Sequence, residues 1–264
     1  MLHTEFITPT RSHDWEAVTY APAVPRRHTA DRIEGESFQT KNQVLNRLPT
    51  STLRGIAPHL RRVDVQREQF LFQQDDDLEF IYFPETAVIS ELHLLDDGRM
   101  VEVALSGRND AIGVACLYNA LHISNCVIAT QAGSLLRMES VLLKKYCQTE
   151  PDLPRLLHST LESYIRQISQ RAVCNMYHSI QERLCTWLLL VDELSGRKTL
   201  RLTHEQISRA LGVYRPSITC IALELRHAGM IDYKRGGISI IDRSALGKAA
   251  CDCYQELRSD QDRF

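Results

Sequence analysis

The sequence predicts an α+β protein: an N-terminal antiparallel β-barrel or jelly roll, one long helix, and a compact helical domain closed by a β-hairpin. Three observations predict it. From Val63 to Met138, apolar residues recur at every second position in short runs bounded by turn residues. From about Val141 the spacing changes to three and four. From Leu202 to Ile231, two helical patterns are divided by a glycine and followed by a strand pattern and a Gly-Gly pair.

The first 40 residues are polar and proline-punctuated, with Ala21-Pro22-Ala23-Val24-Pro25-Arg26-Arg27 among them. They are expected to be a loosely ordered extension without a core of its own. A short helical pattern over 42–60 can start at Pro49-Thr50-Ser51 and carries Leu53, Ile56, Ala57 and Leu60 at apolar positions. The strand runs hold Phe70 and Phe72, Ile81 and Phe83, Val101 with Val103 and Leu105, and Leu135 with Met138. Asp96-Asp97-Gly98 marks a hairpin turn between two of them. Residues 41–147 are therefore expected to form the barrel.

Within 148–176, Leu157, Leu161, Tyr164, Ile168 and Arg171 fall at alternating spacings of four and three. That is the seam a helix offers to a partner helix, so Leu157, Leu161, Tyr164 and Ile168 are read as a dimer interface. The alternative is a helix packed on its own barrel, because the repeat is short. A helix over 179–193, carrying Leu184, Trp187, Leu188 and Val191, opens the C-terminal domain, residues 177–264.

The end of the chain carries the chemistry. Thr203 can cap a helix, and Gln206 three residues later completes a capping box. Ile207, Ala210 and Leu211 share a face, and Gly212 suits the left-handed residue that ends a helix. A second helix starts near Arg215-Pro216, where proline's missing N–H costs nothing. Ile218, Ile221, Ala222 and Leu225 form its buried stripe. Arg215, Thr219 and Cys220 lie on the opposite face, with Ser217 at the edge. Two short helices joined by a tight turn make a helix-turn-helix, and the second would present its N-terminal residues to base edges in a major groove. Lys234-Arg235-Gly236-Gly237 then reads as the tip of a basic hairpin, a wing beside the phosphates.

Composition narrows the function classes. The chain has 264 residues, room for two domains at roughly 100–200 residues each. Its net charge is −2, so affinity for DNA must come from a local patch: Arg201, Arg209, Arg215, Lys234 and Arg235. No apolar run is long enough to span a bilayer and no signal peptide is evident, which points to the cytoplasm. The eight cysteines are expected to be reduced there. None has Cys-x-x-Cys spacing. Cys174 and His178 could share a helix face, with Cys185 further on, whereas Cys251 and Cys253 would point to different sides of a helix. Buried thiols are the expected reading, with no metal and no cofactor; a metal or iron–sulfur site is the alternative. No nucleophile motif, phosphate loop or carboxylate pair suggests an enzyme.

The order barrel, long helix, winged helix-turn-helix resembles the CRP/FNR family of bacterial transcription regulators over roughly residues 42–254. The resemblance is carried by Glu79-Phe-Ile-Tyr-Phe-Pro-Glu-Thr-Ala-Val, Asp97-Gly-Arg-Met-Val-Glu-Val, Tyr177-His-Ser-Ile-Gln-Glu-Arg-Leu-Cys-Thr-Trp-Leu-Leu-Leu and Leu211-Gly-Val-Tyr-Arg-Pro-Ser-Ile-Thr. It implies a cyclic-nucleotide-binding-like domain, a homodimer, binding to double-stranded promoter DNA, and contact with RNA polymerase if the protein activates.

Both ends depart from the family pattern. Where cyclic-nucleotide-binding members carry Gly-Glu and then Arg with a hydroxyl neighbour, this chain has Gly113-Val114 and Ser124-Asn125. Neither Val114 nor Ser124 offers the charge-assisted partner that a cyclic phosphate needs. The pocket is thus read as degenerate, with cAMP and cGMP excluded as effectors. Cys116 and His122, near its mouth, are read as packing, and no cysteine precedes Cys116. At the DNA end, Arg215 matches the family's base-reading arginine. Pro216 replaces a position acidic in many members, and Cys220 replaces a second base-reading arginine. Thr203, Ser217, Lys234 and Arg235 are read as phosphate-positioning residues. A ligand- or oxidation-gated regulator, with Cys220 as the redox candidate, and a partner-binding module remain the alternative functions.

Overall fold

The computed structural model describes residues 38–118, 122–234 and 236–262. The extension expected over the first 40 residues therefore lies almost wholly outside the described residues.

Asn42 caps a one-turn helix, α1 (Gln43–Asn46), by accepting the Leu45 N–H at 3.1 Å. α2 (Thr50–Ile56) starts after Pro49, as the sequence suggests, and tightens into a last turn at Ala57–His59. Strands follow: β1 (Arg61–Val65), β2 (Phe70–Phe72), β3 (Phe80–Pro84), β4 (Val88–Leu94), β5 (Met100–Ser106), β6 (Cys126–Gln131) and β7 (Gly133–Glu139). They form two antiparallel sheets, β1-β7-β3 and β2-β6-β4-β5. Val63, Ile81, Phe83 and Leu135 of one sheet share a core with Phe72, Ile89, Val127 and Ala129 of the other. The expected barrel is therefore open, a jelly-roll-like sandwich rather than a closed ring. The turn at 95–99 joins β4 to β5, with Gly98 at φ +85°.

In β5 the alternation differs from the sequence reading. Glu102 and Ala104 are buried, while Val101 and Val103 are only half-buried. The cause is a bulge. Glu91 pairs with Ala104 and Leu92 with Glu102, so Val103 has no opposite residue and the strand's facing shifts.

Helices then wrap the sandwich. α3 (Ser140–Thr149) ends before Pro151, and α4 (Asp152–Tyr177) begins after it. Gln167 of α4 seals the edge of β5: its amide accepts the Leu105 N–H and donates to the Leu105 carbonyl at 3.0 Å. It thereby satisfies backbone groups that an open edge leaves exposed. α5 (Ile180–Ser195) starts at a full capping box of Ser179 and Glu182 and stops at Gly196, φ +60°. The C-terminal domain continues with β8 (Leu200–Arg201), α6 (His204–Leu211), α7 (Arg215–His227), β9 (Ile231–Lys234), β10 (Gly237–Ile240), α8 (Arg243–Ala249) and α9 (Cys253–Asp262). β8, α8 and α9 carry no clear sequence signal.

A buried polar network joins these parts. Glu102 of β5 accepts from Arg171 of α4 at 2.6 Å, from Trp187 of α5 at 2.8 Å and from Ser90 of β4 at 2.6 Å. Burial pushes its carboxyl pKa up, and the Arg171 charge with the three hydrogen bonds opposes that shift. Removing one partner from such a pair leaves an uncompensated buried charge. Glu102→Ala is expected to destabilise the protein by about 3–5 kcal/mol in urea unfolding. Glu162→Ala, on the exposed side of α4, is expected to change stability by no more than about 0.5 kcal/mol.

Candidate nucleic-acid interface

The helix-turn-helix forms as its caps dictate. Thr203 accepts the Gln206 N–H at 3.2 Å, and the Gln206 side chain accepts the Thr203 N–H at 2.8 Å. At the far end Gly212 takes φ +64°. The Val213 N–H reaches back to the Ser208 carbonyl at 3.0 Å, closing the helix as a Schellman turn. α7 ends in the same way at Gly229, φ +71°, with the Met230 N–H on the Leu225 carbonyl. Ile207, Leu211, Ile218, Ala222 and Leu225 bury the inner faces in one core.

The outer face of α7 starts with Tyr214, 78% exposed, followed by exposed Arg215 and Pro216. Cys220 is exposed one turn on, and Ser217 and Thr219 are half-buried at the edge. Thr219 is oriented from two sides: its hydroxyl reaches the Arg215 carbonyl at 3.2 Å and His204 Nδ1 at 3.0 Å. The His204 ring leans on Tyr233 of the wing, centroids 4.8 Å apart. Burial, and then the Arg215 charge, hold the His204 imidazole below its ordinary pKa. Tyr214 and His204 were missed in the sequence reading. Tyr214 is legible as the residue before a proline-started helix, whereas the His204 contacts span 15 and more residues.

The wing is a tight hairpin in which Lys234 pairs with Gly237 and Gly236 sits at φ +77°. β8 joins it as a third strand. Lys234 is exposed but forms an ion pair with Asp232 at 2.8 Å. Arg235 lies outside the described residues. Thr203 spends its hydroxyl on the cap of α6.

Arg209 departs from the expected basic patch, because it ion-pairs with Glu68 in the turn between β1 and β2. Glu68 is held at φ +64°, a region that non-glycine residues rarely adopt. It also accepts from Gln206 at 2.7 Å. Arg67 donates to Gln206 at 3.1 Å, and Gln131 donates to the Arg201 carbonyl at 3.1 Å. α6 is thus docked on the chain's own sandwich, where Val101 lies against Gly212.

The pocket residues sit between β3, β6 and the helical turn Val114–Tyr118. Gly113, at φ +87°, lies where a Cβ would come within 3.1 Å of the Phe80 carbonyl. Val114 is buried, Ser124 is exposed, and Asn125 bonds His93 Nδ1 at 3.1 Å. Asn125 also hydrogen-bonds Glu91, a buried carboxyl whose pKa burial pushes up and which accepts the Tyr164 hydroxyl at 2.7 Å. The polar interior beside Asn125 is therefore acidic. His122 is not packing: it is exposed and faces Asp77 at 3.1 Å. The Cys116 side chain lies outside the described residues.

On α4, Leu157 is 0% exposed and packs inside its own chain, and Tyr164 is held by Glu91. Leu161 and Ile168 lie half-buried at the edge. The exposed stripe instead contains Ile165 at 55% and Met176 at 76%, with Ala172 between them. At the base of α4, four side chains converge that the sequence reading had split. Cys174 and His178 meet Cys251 and Cys253, while Cys185 is buried elsewhere in the core. Cys251 and Cys253 face the same cluster because a helix boundary falls between them.

Residues 182–249 match the Crp-like helix-turn-helix domain. The chain is 24% identical over 191 residues to a global nitrogen regulator of Synechocystis sp., covering 69% of this chain and 85% of the relative. FixK2 from Bradyrhizobium japonicum superposes with a TM-score of 0.63 at 18% identity, covering 73% of this chain and 98% of that one. A CRP-family transcriptional regulator from Thermus thermophilus gives 0.62 at 17% identity, over 71% and 96%. No helix among the described residues is long and apolar enough to cross a membrane. Residues 182–249 are thus a Crp-like helix-turn-helix domain, and the chain shares its overall fold with solved transcription regulators of the CRP/FNR family.

Proposed function

We propose that the protein is a homodimeric, sequence-specific regulator that reads promoter DNA with Arg215 and works without a cyclic nucleotide. The observation that carries this reading is the open N-terminal turn of α7, where Tyr214, Arg215 and Pro216 are exposed above a fully packed inner face. A guanidinium at that position suits bidentate contact with guanine. Pro216 offers no hydrogen bond, and Cys220 offers a weak one, so the operator differs from sites read by an acid and two arginines. Ser217, Thr219 and Lys234 border this face and suit phosphate contact, Lys234 once released from Asp232. Thr203 can add its backbone near the phosphates but not its capped hydroxyl. Arg235 continues the wing in sequence.

The homodimer forms along α4 through Leu161, Ile165, Ile168, Ala172 and Met176, which recur at spacings of four and three. A dimer of this kind would present two α7 helices to half-sites about 34 Å apart. RNA polymerase is the further partner at promoters where the protein activates. The function is regulatory rather than enzymatic, and the setting is the cytoplasm.

The acidic interior at Glu91, with Val114 and Ser124 in place of charged ligands, supports exclusion of cAMP and cGMP. A cyclic phosphate entering there finds no cationic side chain at Val114 or Ser124 to offset its desolvation.

Arg215→Ala is expected to weaken operator binding by about 1–3 kcal/mol while sparing random DNA, as read by gel-shift titration. Equal losses on both DNAs would remove the base-reading role. Calorimetric titration of cAMP into the full-length protein is expected to give only heat of dilution, and saturable micromolar binding would overturn the exclusion. Ile165→Asp is expected to convert the dimer to monomer in sedimentation velocity. A variant that remains dimeric would place the interface elsewhere.

A further inference from the structure

We propose that Cys174, His178, Cys251 and Cys253 bind one tetrahedral zinc ion, which clamps the base of the long helix to the C-terminal helices. The four donor atoms all lie within 4.8 Å of one another. Cys174 Sγ is 3.5 Å from Cys251 Sγ, and Cys253 Sγ is 3.5 Å from His178 Nδ1. Tetrahedral zinc, with bonds of about 2.3 Å to sulfur and 2.0 Å to nitrogen, sets ligand separations of about 3.8 Å and 3.6 Å. The side chains already stand near those edges. A multi-iron cluster distributes its outer ligands over separate irons and needs them farther apart than this group allows. Three thiols with one imidazole form a soft donor set that suits zinc in a closed, structural site.

The surroundings supply what thiolates require. Gln170 Nε2, which can only donate, points at Cys253 Sγ at 2.9 Å. Thr186 Oγ1 accepts the Cys251 N–H at 3.2 Å, which leaves its own hydrogen for Cys251 Sγ at 3.1 Å. Such outer donors hold metal ligands in place and stabilise their charge. Cys174, Cys251 and Cys253 are buried, and so is Thr186.

The placement gives the ion a structural task. Cys174 sits in the last turn of α4, and His178 is the first of the two residues between α4 and α5. Cys251 separates α8 from α9, and Cys253 opens α9. One ion would thus close a loop of 77 residues at the hinge where the DNA-binding domain leaves the long helix. The zinc site does not depend on the DNA-reading residues, and its test is independent of DNA binding.

The test is elemental analysis of the full-length protein purified under reducing conditions without chelator, followed by cobalt(II) titration of the metal-stripped form. About one zinc per chain is expected, with cobalt giving the intense thiolate-to-metal bands of a tetrahedral site. Cys253→Ser is expected to lower zinc content at least tenfold (an order-of-magnitude figure for loss of a ligand). Cys147→Ser, on α3, should leave zinc content unchanged. Should Cys253→Ser fail to fold, the half-buried His178→Ala carries the same comparison. Wild-type protein without stoichiometric zinc, an octahedral cobalt spectrum, a polynuclear iron cluster or a Cys174–Cys251 disulfide in its place would each overturn the proposal.

Discussion

The arrangement of the whole chain turns on one buried carboxylate. Glu102 lies in the edge strand of the larger sheet and takes donors from β4, α4 and α5. Apolar packing around it is extensive but non-directional. A buried carboxylate is tolerated only where its donors stand in fixed positions, because an unmet oxygen in the interior costs more than the bonds return. Glu102 therefore fixes Arg171 and Trp187 relative to the sandwich, and with them the start of the DNA-binding domain. The bulge at Val103 is part of the same device, since it turns Glu102 inward. Val88 and Leu105 then belong to the core of the C-terminal domain, so the two domains share apolar contacts as well as a charge network.

A second set of contacts limits how much positive charge reaches solvent. Arg209 is held by Glu68, and Lys234 by Asp232. Arg215, exposed at the start of α7, is the guanidinium left open on the proposed DNA-reading face. In a chain of net charge −2, this predicts recognition by a few well-placed groups and a modest number of phosphate contacts. It also makes the docking of α6 on the sandwich part of the protein's electrostatics, because an arginine of the helix-turn-helix is spent on the partner domain.

Much of the fold was legible because its signals are local. The capping boxes at Ser179 and Thr203 and the glycines at 212 and 229 state their own geometry within a few residues. The turn at 96–98 set its hairpin for the same reason. What escaped was set by distance or by ambiguity of period. A stripe such as Leu157, Tyr164 and Arg171 looks the same whether it faces a second helix or the chain's own sheet, and here it faces the sheet. The bulge broke an alternation that no composition signal marks. Arg209 reads as a free basic residue until Glu68, 141 positions away, is brought beside it. The four metal-type ligands are divided between two segments more than 70 residues apart, and only the packing of α9 on α4 unites them. At the candidate DNA interface, the exposure of Arg215, Pro216 and Cys220 follows from helix phase, whereas the support of Thr219 by His204 depends on tertiary contact.

The proposed mode of action requires two copies of α7 to engage successive turns of one DNA duplex. Hydroxyl-radical footprinting of the full-length protein on DNA from upstream of its own gene tests this most directly. Two symmetric protected segments are expected, with centres about 34 Å apart along the helix axis, lost as salt is raised. A single unpaired footprint, or protection that is the same on random DNA, would contradict it.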